Sequence, residues 1–185
     1  MRISRAVTAL GVSSLASVFL IISPAQSSAS GGESVRMFDD CDVTSFNAPP
    51  PAGVGPGICV GDGETTFADF IAELKRTQQA EEWRFKPDML TVESGRPVIV
   101  ENRGGETHTF TQVAAFGGGF VPALNNLSGN TTLAPECAAP PSVAPINLLV
   151  SAGAEAAFQT AGLPPGTYQF QCCIHPWMRI ILTVE

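Results

Sequence analysis

Cys172, His175 and Met178 recur at every third residue of Cys172-Cys173-Ile174-His175-Pro176-Trp177-Met178. A tight loop with about three residues per turn sets such side chains on one side, where they can converge on a point. A thiolate is a strong soft donor, an imidazole suits both oxidation states of a redox metal, and a thioether serves only as a weak axial ligand. That set suits copper. A His2Cys site with an axial Met needs one more imidazole. The chain's other histidine is His108, in Glu106-Thr107-His108-Thr109-Phe110. Taken singly, each residue has an ordinary reading. A lone His is more often a surface or core residue, a Met beside a Trp is more often core, and a single Cys is most often half a disulfide. The four in combination outweigh those readings and point to one copper ion held by His108, Cys172, His175 and Met178.

Such ligands need rigid carriers, and the pattern from Trp83 onward supplies strands. Trp83 and Phe85 alternate with charged residues, as do Leu90 and Val92 before a turn at Ser94-Gly95. Val98 to Val100 is a buried run, and Phe110 to Val113 follows the glycine turn at Arg103-Gly104-Gly105, with His108 at its start. Leu148 to Val150, Ala156 to Thr160, Tyr168 to Cys172 and Ile180 to Val184 complete the set, with a turn at Pro164-Pro165-Gly166. Cys172 thus ends a strand, and His175 and Met178 lie on the connection to the last one. Short strands divided by Gly/Pro turns read as an all-β sandwich. One helix is expected: Thr66 and Asp69 form a capping box, and Phe67, Phe70, Ile71 and Leu74 share one face. That face reads as a cover for a sheet end, with no second helix elsewhere. Residues 116–147 read as a long loop with one short strand at most, and 30–63, rich in Gly, Pro, Ser and Asp, as irregular. Asn126 and Asn130 open glycosylation triplets of a kind common by chance.

The N-terminus has a separate purpose. Arg2 and Arg5 precede an uncharged apolar run from Ala6 to Ile22, and small residues follow to Ser30, the order of a secretory signal peptide. Removal of residues 1–29 takes the formal charge from −7 to −9 and leaves 156 residues, enough for one domain with a real core. An acidic chain with two histidines and no basic run does not read as a nucleic-acid binder. Five cysteines remain, and in an oxidising compartment an odd count leaves one over. Cys41 and Cys59 bracket the irregular segment and are its natural staple. The organisation expected is a signal peptide over 1–29, an extension with one helix over 30–82, and a copper-binding domain over 83–185. The expected location is the periplasm or outside the cell, and the expected state a monomer with no membrane span after cleavage.

The ligand loop resembles that of the cupredoxins, and of the amicyanin group in particular, whose loop has the same short Cys-two-His-two-Met spacing followed by Arg. His175-Pro176, the aromatic Trp177, Met178 and Arg179 match position by position, as does Tyr168 four residues before Cys172, and His108 stands for the family's first histidine ligand. The resemblance spans roughly Trp83 to Glu185. It implies a Greek-key sandwich with a type 1 copper site, and one-electron transfer by Cu(I)/Cu(II) cycling. Pro176 and Trp177 would then form an exposed apolar patch for a redox partner, with His175 as the electron's exit. Two departures stand out. Thr109 occupies a position where many cupredoxins have Asn, and Cys173 adds a thiol. Adjacent strand residues face opposite ways; with Cys172 assigned by its distance to His175, Cys173 is left to pair with Cys137. Both histidines are spent on one metal, which leaves no catalytic copper site and no nucleophile–base pair, so an enzyme is not expected. A copper-binding or delivery protein of the envelope is the rival reading, and an inert disulfide-bonded sandwich a third.

Overall fold

The computed structural model describes residues 33–138 and 147–185; the signal peptide and its cleavage site lie outside them. Among the described residues no helix is long and apolar enough to cross a membrane. Among the described residues nine strands build two sheets. The first has the order β2 (Arg84–Lys86), β1 (Ser34–Phe38), β4 (Val98–Asn102), β7 (Glu155–Phe158). The second has the order β3 (Met89–Val92), β9 (Arg179–Val184), β8 (Gly166–Gln171), β5 (His108–Val113), β6 (Asn147–Val150). Pairing is antiparallel except for β1 with β4 and β3 with β9. β4 and β7 are antiparallel neighbours in the first sheet, while β5 and β6, between them in sequence, pair in the second. That crossing is the Greek-key return expected of an all-β sandwich.

Period-two alternation sorts side chains between core and surface. Ile180, Leu182 and Val184 of β9 point inward, as do Val98, Val100 and Asn102 of β4. Between the sheets Phe110 stacks on Phe170 at 4.4 Å, and Phe158 meets Phe170 edge-on at 4.8 Å. Tight aromatic packing under β5 and β8 keeps these two strands rigid, and both lead directly to the site.

The expected helix is present as α2 (Phe67–Thr77), with the Thr66 hydroxyl accepting from the Asp69 amide and donating to its carboxylate. Phe70 and Leu74 are its buried residues, and the ring of Phe70 lies 4.5 Å from Trp83 and 5.5 Å from Phe46.

Two expectations need correction. Residues 30–63 are not irregular throughout: Ser34–Phe38 is a strand inside the first sheet, and α1 (Val43–Phe46) follows it. Val35 and Met37 are buried and their neighbours face outward, which is why five residues in a polar segment suffice. Nor is α2 alone. Within the segment 116–147, α3 (Pro122–Leu127) forms with Pro in its first turn, where the missing N–H costs nothing, and Pro135–Cys137 makes a 3-10 turn. No strand forms between 116 and 138 beyond the isolated bridge of Gly118 with Leu133.

Candidate metal centre

Three of the four expected residues carry donor atoms that meet. The Cys172 Sγ lies 3.9 Å from the Nδ1 of His108 and 3.9 Å from the Nδ1 of His175, and the two nitrogens are 3.3 Å apart. His108 opens β5, while Cys172 follows β8 and His175 lies three residues on. Met178 is buried in the same turn. Its amide donates to the His175 carbonyl at 2.9 Å and its carbonyl accepts from the Cys172 amide at 3.0 Å, so the loop folds back on itself between β8 and β9. All four are 2 % exposed or less.

The triangle tests whether a metal fits. A point equidistant from donors with these separations lies about 2.2 Å from each, against typical bond lengths of about 2.0 Å to imidazole and 2.3 Å to thiolate. A first-row ion therefore fits between them, and a His2Cys donor set is a copper set.

The reverse sides of the rings are equally specific. His108 Nε2 is 2.8 Å from the Asp39 carboxylate, and His175 Nε2 is 3.5 Å from that of Glu106. Asp39 is itself fixed: it accepts from the amides of Gly105 at 2.8 Å, Glu106 at 3.0 Å and Cys41 at 3.3 Å. Glu106 accepts from the Trp83 indole at 2.5 Å. Gly105 is required here, because a Cβ would come within 2.7 Å of the Cys41 sulfur and closer still to the backbone of Gly61. These carboxylates turn both Nε2 atoms outward and leave both Nδ1 atoms facing the thiolate. Sequence reasoning missed them; Glu106, two residues before His108, was the one available signal.

Charge in this interior is coupled. Burial disfavours an imidazolium at His108, but Asp39 and the Cys172 thiolate outweigh it and raise the pKa from 6.5 to about 9. Burial also opposes a thiolate at Cys172, yet the two imidazoles hold its pKa well below the usual 9.0. Asp39 is desolvated but kept ionised by His108 and the amides, whereas desolvation raises Glu106.

Neighbouring groups hold the thiolate. The Thr109 amide donates to the Cys172 sulfur at 3.4 Å, and the Thr109 hydroxyl accepts from the Cys173 amide at 2.7 Å. Thr in place of Asn thus still ties β5 to the ligand loop. Cys173 is bonded to Cys137 and Cys41 to Cys59, which leaves Cys172 as the free thiol. The segment after β5 packs behind the loop: Gln171 pairs with Gly117 through two 3.0 Å bonds, and the Phe120 amide donates to the Cys173 carbonyl. Arg179 donates to the Pro176 carbonyl at 2.8 Å, binds the Asn130 side chain and lies over Phe116.

The expected exposed patch at Pro176 and Trp177 is not there. Pro176 is buried, Trp177 is half-buried, and the edge of His175 is covered by Phe70 of α2, 6.5 Å away, and by Trp177 at 5.5 Å. An apolar helix face needs a partner surface, and this one found the loop tip. Trp177, Met178 and Arg179 line a cleft of about 1100 Å³ together with Trp83, Arg84 and, from α2, Glu73 and Thr77.

No family model matches the chain, and no curated protein does. Among solved structures the chain is similar to an amicyanin variant in its reduced Cu(I) form, at 20 % identity, TM-score 0.36, covering 58 % of this chain and 77 % of that one. It is also similar to a purple cupredoxin from Nitrosopumilus maritimus, at 15 % identity, TM-score 0.38, covering 57 % and 86 %. The oxidised plastocyanin of Dryopteris crassirhizoma aligns at 24 % identity, TM-score 0.34, covering 56 % and 89 %. Overlaps this loose carry no weight of their own; the sandwich and the donor cluster stand on the geometry above.

Proposed function

We propose that this chain is an exported cupredoxin-type electron carrier, holding one type 1 copper ion through His108, Cys172 and His175, with Met178 as the weak axial ligand. The observation that carries the reading is the buried triangle of two Nδ1 atoms and one thiolate sulfur, sized for a first-row ion. Bound copper would supply a Cu(I)/Cu(II) couple. The chain's own part is to hold the donors fixed, so that little reorganises on electron transfer, and to keep water from the metal. Rigidity comes from the β5–β8 pairing, the Thr109 amide on the sulfur and the loop's internal hydrogen bonds. Two disulfides support an oxidising compartment, periplasmic or extracellular. The covered His175 favours retention over delivery of the ion, and moves the expected exit to Trp177, which touches His175 and borders the open cleft. A redox protein would dock there.

The test is to add Cu(II) to the purified metal-free protein. An intense visible absorption, absent in Cys172→Ser, with reversible one-electron voltammetry is the expected outcome. Weak absorption unchanged in Cys172→Ser would sink the type 1 assignment, and rapid loss of copper to a mild chelator would move the function to delivery.

A further inference from the structure

Both imidazoles of the donor triangle end on a buried carboxylate, and neither carboxylate belongs to the ligand set. Asp39 comes from the end of β1, far from His108 in sequence, and its side chain is fully buried with His108 Nε2 at 2.8 Å. Glu106 is 6 % exposed, with Trp83 Nε1 at 2.5 Å and His175 Nε2 at 3.5 Å. A carboxylate on the far nitrogen fixes the tautomer and the ring orientation and makes the near nitrogen a stronger donor. It also adds negative charge in a region where little water screens it. Stronger donation and added negative charge both favour the more highly charged oxidation state of a metal held by Nδ1.

We propose that Asp39 and Glu106 are positioning residues that set the reduction potential of the bound metal, Asp39 more strongly than Glu106, by favouring Cu(II) over Cu(I). This rests on the copper reading above. The order follows from the contacts. Asp39 makes the shorter bond to its imidazole and is aimed by three backbone amides. Glu106 stands farther from its ring and shares its oxygen with an indole. Among the described residues no lysine or arginine is paired with either group: the side chains facing them are the two imidazoles, Trp83 and, across the site, each other.

The experiment is protein-film voltammetry of the copper-loaded wild type, Asp39→Asn and Glu106→Gln, with copper content and visible spectrum recorded for each. Both variants keep the side-chain shape and remove the charge. In Asp39→Asn the Cu(I)/Cu(II) ratio at a given potential should rise about tenfold, which for one electron is a shift of about 59 mV upward. Glu106→Gln should move the same way by less. Should Asp39→Asn fail to fold, Glu106→Gln alone decides, an upward shift supporting the assignment. A copper-loaded variant with an unchanged or lower potential overturns it while leaving the copper site standing. A wild type that takes up no copper fails the underlying reading, and this one with it.

Discussion

Replacing Phe70 with Ala tests whether α2 is the cover of the site or a bystander. The ring is 2 % exposed and lies against Trp83 at 4.5 Å, Phe46 at 5.5 Å, Trp177 at 6.0 Å and His175 at 6.5 Å. Truncating a buried Phe costs about 3–5 kcal/mol, part transfer of the lost ring and part the cavity left behind. Against a total stability of about 5–15 kcal/mol the protein should still fold. The metal-free variant should unfold at lower denaturant with an unchanged m-value, and melt roughly 10 °C lower. The functional consequence is separate. With the ring gone, His175 faces solvent through the space it filled, so copper should pass to a chelator faster than from wild type. Equilibrium denaturation of the metal-free form and stopped-flow chelator competition of the loaded form measure the two effects. A destabilisation below about 1 kcal/mol would refute the packing argument. Copper release at the wild-type rate in a destabilised variant would refute the claim that this helix is the lid.

Metal uptake should depend on pH in one direction. His108 must shed its proton to present Nδ1, and its pKa is raised to about 9, so binding below that pH releases a proton. Apparent affinity should rise about tenfold per pH unit from neutrality and level off above about 9, in competition titrations with a chelator of known proton linkage; a flat profile would contradict the buried imidazolium. In the metal-free fold the same raised pKa makes protonated His108 stabilising below about 6.5, a contribution lost as pH rises through about 9. Thr109→Val removes the acceptor for the Cys173 amide and should cost about 1–3 kcal/mol, yet leave the visible band in place, because the bond to the sulfur comes from the backbone. A large band shift would mean that the hydroxyl, rather than the amide, tunes the thiolate.

How much of this was legible before folding differs residue by residue. The meeting of His108, Cys172 and His175 was, because a Cys-His spacing of three encodes a loop geometry directly, and because a chain with two histidines leaves little choice. α2 was legible from its capping box and apolar face, but what that face covers depends on a tertiary contact with a loop a hundred residues away in sequence. The exposed patch was lost for the same reason: Pro176 and Trp177 look like surface until a helix lies over their neighbour. β1 hid in a segment read by composition, where the alternation of Val35 and Met37 was its only trace. Asp39 had no signal at all. Acidic residues are mostly exposed, and nothing local distinguishes one that is buried against an imidazole.

That buried acidity is also what makes the centre coherent. Two carboxylates and a thiolate in a dry interior would each be costly alone. They are tolerated because backbone amides, an indole and two imidazoles surround them, and because His108 carries a proton in the metal-free state. A metal bound there as proposed would compete with that proton for the same attraction. An ion that displaces the proton inherits a negative pocket and donors already aimed at a common point, so binding costs little ordering. The segment before residue 83 is therefore more than an appendage. Through Asp39 it fixes one imidazole and holds the amides of the turn that carries Glu106, through Cys41 it packs against that turn, and through Phe70 it covers an edge of the other imidazole. Removing it would leave His108, Cys172 and His175 in the chain and take away what orients them.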